Sequence, residues 1–258
     1  MSDFRDFRII IPVRYDSKRL PGKALLDIDG EPMIQHVYKK CVQSYASSVV
    51  IATDSEKVAD VASSFGAEVC MTSAQHPSGT DRLAEAVVEL GYDEDEIVVN
   101  VQGDEPLMDP LLIQKVAECL NNHSAVKITT ACQKITNKEQ LFCPSVVKVV
   151  RNKRGGAIYF SRAPIPWEAE GFKKEPKVVK GEHYRHIGIY AYRVGFLGEY
   201  LAWDTCSLGQ MESLEQLRVL WNGYRIYCVE SEVEIPVGVD TQDDLDRVRK
   251  IFEDLKKS

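Results

Sequence analysis

Short apolar runs alternate with longer stretches of three- and four-residue periodicity through the first half of the chain. "RIIIPV", "VVIATD", "AEVCMT", "EIVVNVQGDEP" and "VKITTAC" each place four or more apolar or β-branched residues within a strand's length and stop at polar or turn residues. They predict strands buried on both faces. Between them, "PMIQHVYKKCVQS", "EKVADVASSFG", "GTDRLAEAVVELG" and "PLLIQKVAECLNN" repeat apolar residues along one helical face, as Val58, Val61, Ala62 and Phe65 do. Strand and helix in alternation imply right-handed crossovers and an α/β fold with a doubly wound, mainly parallel sheet.

The pattern changes over residues 143–200. "VVKVVRNKRGGAIYFSRAPIPW" predicts a hairpin with a Gly-Gly turn, and "YRHIGIYAYR" predicts a strand ending near Val194. An antiparallel insert is therefore expected within a single domain spanning residues 1–258. "MESLEQLRVLWNG" and "TQDDLDRVRKIFEDLKK" return to helix, the second with Leu245, Val248, Phe252 and Leu255 on one stripe and Thr241 and Asp244 placed as a capping box. "EAEGFKKEPKVVKGEH" is polar and aperiodic, so a loop is expected there.

Composition narrows the function classes. The 258 residues are 44% hydrophobic, enough for a large core, and the formal charge of -7 argues against nucleic acid or a membrane surface as partner. The seven cysteines form no C-x-x-C pair, which fits small reduced core residues and a cytoplasmic protein. The N-terminal "MSDFRDFRIII" reads as neither a signal peptide nor a membrane span.

Within this acidic chain, the loop after the first strand is locally basic. "PVRYDSKRLPGKAL" carries Arg14, Lys18, Arg19 and Lys23 around Pro21 and Gly22. The charges alone leave two readings open: a polyphosphate site or a solvated basic loop. A ligand site is favoured by the place of the loop, since parallel sheets bind ligands beyond the carboxyl ends of their strands. The loop is neither a Walker motif nor a G-x-G-x-x-G turn. After another apolar strand come Gln102, Gly103, Asp104 and Glu105, where a carboxylate suits a hard cation such as Mg²⁺, although a turn or cap role competes. Asp240 in "IPVGVDTQDDL" is a second such carboxylate, and ordinary helix-start chemistry explains it equally well. In and just after the insert lie Arg162, His183, Arg185, His186, Glu212 and Glu215; Arg162 and the histidines suit an anionic, hydroxyl-rich ligand, while an ion-paired surface competes for all of these acids and bases and is favoured for Glu212. His183 and His186 are three apart and, on a strand, face opposite ways, which argues against a shared metal.

The ordered series "IIIPVRYDSKRLPGKAL", "ATDSEKVADVA", "VCMTSAQHPSGTDRLAE", "VNVQGDEPL", "AIYFSRAPIPW", "RHIGIYAYR", "LEQLRVLWNG" and "VGVDTQDDL" resembles the 3-deoxy-manno-octulosonate (Kdo) cytidylyltransferases, the CMP-Kdo synthetases of lipopolysaccharide synthesis, over nearly the whole chain. Val13, Ala24 and Asp81 depart from that family's usual Ala, Pro and Glu without removing a charged group. The resemblance implies a nucleotide-diphospho-sugar transferase-like fold, and the reaction of CTP with Kdo to CMP-Kdo and pyrophosphate with Mg²⁺ as cofactor. It also implies a cytoplasmic homodimer joined through the insert. The matched positions imply Arg14, Ser17, Arg19, Lys23, Ser78, Gly79 and Arg82 for CTP, with Arg14 and Lys23 also catalytic. They imply Asp104 and Asp240 as catalytic metal ligands, and Gln102, Arg162, His186, Tyr190 and Glu215 for the sugar, with Arg162 on its carboxylate. Amino-substituted relatives of Kdo remain open as substrates. The competing readings are a cytidylyltransferase for another acid sugar, a regulatory CTP-binding protein and a glycosyltransferase. The last would call for a D-x-D motif, which "GDEP" is not.

Overall fold

Ile9 and Ile11 enter one hydrophobic cluster and Ile10 enters another, so the strand Arg8–Val13 (β1) is covered on both faces. That two-sided burial explains its unbroken apolar run. The computed structural model describes residues 6–17, 19–76, 78–172, 179 and 181–256. After β1 and a 3-10 turn at Lys23–Leu25 come a small ribbon, β2 (Asp27–Ile28) and β3 (Glu31–Pro32), and then α1 (Met33–Val42). Next are β4 (Ser48–Thr53), α2 (Glu56–Ser64), β5 (Glu68–Met71), α3 (Gly79–Glu89), β6 (Ile97–Asn100), α4 (Pro110–Asn121) and β7 (Ile128–Lys134). The remainder is α5 (Lys138–Phe142), β8 (Lys148–Arg151), β9 (Ala157–Ser161), β10 (Tyr184–Arg193), α6 (Val194–Ala202), α7 (Ser207–Glu212), α8 (Leu217–Trp221), β11 (Ile226–Glu230) and α9 (Gln242–Leu255).

The main sheet has the order β11-β7-β10-β6-β1-β4-β5, with the β8–β9 hairpin attached to β10. β1, β4, β5 and β6 run parallel, as do β7 and β11. The α/β class, the antiparallel hairpin and the strand over "YRHIGIYAYR" agree with the sequence pattern. The pattern left the place of that strand open: β10 lies between β6 and β7, antiparallel to both, so the insert is threaded through the centre of the sheet. One feature differs from the pattern. The expected helix over "MESLEQLRVLWNG" is two short helices, because Ser213 takes a left-handed conformation (φ 51°) that ends α7 before Glu215. α5, α6 and β11 were not separated from their surroundings by pattern alone.

The last helix begins as the sequence predicts. Thr241 Oγ1 accepts from Asp244 N–H at 3.3 Å, and the Asp244 carboxylate accepts from Thr241 N–H at 2.9 Å and Asp240 N–H at 3.1 Å. Asp therefore completes the capping box in place of Glu, and it fixes the backbone of the neighbouring Asp240. The segment expected as a loop, "EAEGFKKEPKVVKGEH", falls in part outside the described residues. Among the described residues no helix is long and apolar enough to cross a membrane.

The base of the hairpin is held by a buried cation. Lys148 is inaccessible to solvent, and its ammonium donates to the carbonyls of Cys143 (2.9 Å), Val146 (2.6 Å) and Arg162 (2.5 Å). Burial pulls its pKa down from the usual lysine value. Lys148→Met keeps the packing and strands those acceptors, so the unfolding free energy is expected to fall by about 2–4 kcal/mol in urea titration.

Candidate active site

β1 sits between β4 and β6, and the chain builds outward from it in both directions. A crevice opens where strand order reverses, at the carboxyl ends of β1 and β6. It holds a cavity of about 370 Å³ lined by Arg14, Ser17, Arg19, Lys23, Ser78, Gly79, Arg82, Gln102, Asp104, Glu215 and Asp240. Every residue predicted to hold nucleotide or metal is therefore gathered in one place; Lys18 lies outside the described residues. Gly22 turns the basic loop back toward the sheet with φ 67°, a conformation that favours glycine, and its N–H donates to the Tyr15 carbonyl at 3.2 Å. Lys23 is thereby aimed across the cavity.

The two predicted metal carboxylates already share a cation. The Lys23 ammonium donates to Asp104 Oδ2, to Asp240 Oδ1 at 3.0 Å and to the Val239 carbonyl at 3.1 Å. Arg19 reaches Asp240 Oδ2 at 2.7 Å. Burial opposes charge on Lys23, but Asp104 and then Asp240 outweigh it, and its pKa lies above the ordinary value. The loops are also tied through the backbone, since Val239 N–H donates to the Asp104 carbonyl at 2.8 Å. Beneath them, burial and then the charge of Asp104 push the Glu105 carboxyl up to about 8.

Arg82 lines the cavity with its guanidinium committed elsewhere. It is only 4% exposed, and it donates to Asp54 Oδ2 at 2.7 Å and to Thr72 Oγ1 at 2.5 Å. Those partners follow β4 and β5, so Arg82 ties two strand ends to α3. Ser78 is the N-cap of α3, accepting from Asp81 N–H at 3.2 Å. His76 pairs with Glu85, and that hydrogen bond is the main cause holding the Glu85 carboxyl below its ordinary pKa.

A second cavity of about 310 Å³ adjoins the first, and Gly79, Gln102 and Glu215 line both. His186 and Tyr190 of β10 form part of its wall. Burial, followed by the charge of Arg185, lowers His186 to about 3, so its ring is neutral. Thr130 Oγ1 gives its single proton to the Ile189 carbonyl at 2.7 Å, which leaves it an acceptor for His186 Nε2–H at 2.9 Å. Nδ1 is then free to accept. Burial raises the Tyr190 phenol and the Glu215 carboxyl above their ordinary values, the latter with help from Asp81.

Arg162 stands apart from the other expected sugar residues. It lines neither cavity, and its guanidinium donates to the carbonyls of Glu212 (2.7 Å), Pro144 (3.0 Å) and Ser213 (3.4 Å). A carboxylate would have to displace some of these acceptors to reach it. Glu212, expected as a surface ion-pair residue, accepts instead from Ser161 Oγ at 2.6 Å and Arg162 N–H at 2.9 Å.

A cytidylyltransferase family model matches residues 8–226. The chain is 57% identical over 248 residues to 3-deoxy-manno-octulosonate cytidylyltransferase of Coxiella burnetii (strain Dugway 5J108-111), covering 96% of this chain and all of the relative. It is 53% identical to the protein of that name from Pasteurella multocida, over 96% and 99% of the two chains. The chain belongs to the 3-deoxy-manno-octulosonate cytidylyltransferase family. A solved CMP:2-keto-3-deoxy-manno-octonic acid synthetase complexed with CTP superposes with a TM-score of 0.88 at 39% identity, over 96% and 99% of the chains. A nucleotidyl transferase from Methanothermobacter, with a TM-score of 0.62 and 16% identity, shares the fold alone.

Several wall residues of this family member went unrecognised in the sequence. Thr80, Asn100, Tyr192, Tyr200, Ser213 and Gln216 line the second cavity. Tyr192 follows Tyr190 by two in a strand, a same-face spacing that points to it; the others carry no such signal. The closeness of the two carboxylate loops also depends on Gly238. A Cβ there would lie 2.8 Å from Glu105 Oε1 and 3.0 Å from the Asp104 carbonyl. Gly238→Ala is expected to spread the loops and slow cytidylyl transfer about tenfold or more, read as pyrophosphate release, with the chain still folding cooperatively.

Proposed function

We propose that this chain transfers CMP from CTP to the anomeric hydroxyl of Kdo, giving CMP-Kdo and pyrophosphate for lipopolysaccharide biosynthesis. The observation that carries this reading is the adjoining pair of cavities: a basic, carboxylate-containing one of triphosphate size opens through Gln102 and Glu215 into one lined by hydroxyls, a neutral histidine and tyrosines. In the reaction the sugar oxygen attacks the α-phosphorus, its proton leaves, and the bond to pyrophosphate breaks. The chain's tasks are positioning and charge neutralisation.

Arg14, Arg19 and Lys23 hold the triphosphate and stabilise the departing pyrophosphate, with Ser17, Ser78 and Gly79 at the same wall. Arg82 contributes by holding the strand ends that frame this wall. On the acceptor side, His186 Nδ1 accepts a sugar hydroxyl, and Gln102, Tyr190 and Glu215 orient others. Arg162 takes the sugar carboxylate once released from its carbonyls, and bidentate pairing with a carboxylate is the stronger contact.

Asp104 and Asp240 are assigned to Mg²⁺. Their fit to a cation is supported by the lysine ammonium that both accept from. Among the described residues no group of three or more His, Cys, Asp and Glu converges on one point, so two carboxylates must be complemented by phosphate and water oxygens, the set Mg²⁺ commonly takes. Bound there, the ion would neutralise phosphate charge and acidify the attacking hydroxyl. We place the reaction in the cytoplasm, a reading supported by the free state of Cys41, Cys70, Cys119, Cys132, Cys143, Cys206 and Cys228.

The decisive experiment measures pyrophosphate release with CTP, Mg²⁺ and a panel containing Kdo, its 8-amino analogue and a sialic acid. Turnover with Kdo is expected; its absence at saturating substrate overturns the reading. Asp104→Asn and Asp240→Asn are each expected to slow turnover by roughly a hundredfold or more.

A homodimer is also proposed. Among the described residues β9 pairs only with β8 in the sheet, and Ile158 on β9, Met211 on α7 and Trp221 on α8 are exposed apolar side chains around that hairpin. Sedimentation at micromolar concentration is expected to give a dimer, and Ile158→Glu to shift it toward monomer. A monomeric parent chain would remove this part of the proposal.

A further inference from the structure

We propose that Gln133 and Arg185 are positioning residues for cytidylyl transfer, acting as a side-chain clamp that sets where Asp240 stands relative to Asp104. The inference rests on the assignment of Asp240 to the metal. Neither clamp residue lines either of the two cavities, and the side chains of both are spent on the segment that carries Asp240.

Asp240 arrives at the site on a segment without regular secondary structure, residues 231–240, between β11 and α9. Such a segment does not by itself hold a carboxylate in place. Its far end is fixed by the α9 capping box and by Val239 N–H on the Asp104 carbonyl. Its near end continues the sheet by one bond, Ser231 N–H to the Cys132 carbonyl at 2.8 Å.

The middle is held by Gln133. Its Nε2 donates to the Val233 carbonyl at 3.1 Å, and its Oε1 accepts from Ile235 N–H at 3.2 Å. One side-chain amide thus binds the segment as a neighbouring strand would, with a donor and an acceptor on alternate residues. Free rotation would defeat this arrangement, and Arg185 prevents it. Arg185 lies opposite Gln133 in the β10–β7 register. Its Nε and one terminal nitrogen donate to Gln133 Oε1 at 3.0 and 2.6 Å, and the terminal nitrogen also donates to the Ile235 carbonyl. Ile235 then packs its side chain, 3% exposed, into the main core.

A guanidinium only 7% exposed is an expensive way to hold a loop. Its place explains the choice: Arg185 sits on a strand paired on both sides at this position, opposite Gln133 and Lys148, so its hydrogen bonds fix the segment that brings in Asp240 from within the sheet.

The test compares Gln133→Ala, Gln133→Glu and Arg185→Lys with the parent chain and with Asp240→Asn. Gln133 is only half-buried, so its alanine variant is expected to fold. For Gln133→Ala and Arg185→Lys, kcat is expected to fall about tenfold or more while KM for the sugar changes less than about threefold. Calorimetric CTP affinity without metal is expected to match the parent, and the tightening that Mg²⁺ adds is expected to be lost. Gln133→Glu keeps the acceptor shared by Arg185 and Ile235 and is expected to recover most of the turnover. A lowered melting temperature with parental kcat and parental metal-dependent tightening would make the clamp merely structural and overturn the proposal. Normal turnover in Asp240→Asn would instead overturn the metal assignment on which it rests.

Discussion

The Lys23 ammonium joins parts of the chain that are remote in sequence. From the loop after β1 it reaches Asp104 after β6 and the Val239–Asp240 segment before α9. In the folded chain these loops all end at the same edge of the sheet, and without a cation their carboxylates would repel one another at short range. Lys23 balances this charge at the wall of the first cavity. The conformation at Gly22, the closeness of Gly238 to Asp104 and the capping box that holds the Asp240 backbone all serve to bring the charged groups to one point.

Much of this was legible in the sequence because it follows from period and place. Ile9 to Ile11 announce a strand covered on both sides, Val58 to Phe65 a one-faced helix, and Thr241 with Asp244 a helix start. The rule that ligands gather at strand carboxyl ends selects Lys23 and Asp104. It does not show them meeting, because nothing local encodes the distance between residues 81 positions apart. The resemblance paired Asp104 with Asp240 and gave Lys23 to the triphosphate; the geometry shows that lysine bridging both aspartates.

What the sequence left hidden depends on long-range pairing. The strand over "YRHIGIYAYR" is plain from its alternation, but its position between β6 and β7 is decided by partners distant in the chain. Arg162 sits in a motif and still spends its donors on carbonyls of Pro144, Glu212 and Ser213, which no spacing reveals. Arg82 shows the reverse problem: a cation at a helix start suits an anion, yet Asp54 and Thr72 claim it. In both cases the competing acceptors come from elements that only the tertiary fold brings near.

The antiparallel course of β10 has one further consequence. Because it runs against β6, with Tyr190 opposite Asn100, its amino-terminal half lies at the edge where the parallel strands end. His186 and Tyr190 therefore reach the reacting face from a strand that carries none of the residues assigned to triphosphate or metal. On the proposed assignment the sugar contacts of His186 and Tyr190 come from a different strand than the triphosphate contacts of Arg14, Arg19 and Lys23, so a change at either β10 residue alters the second cavity without touching those cations.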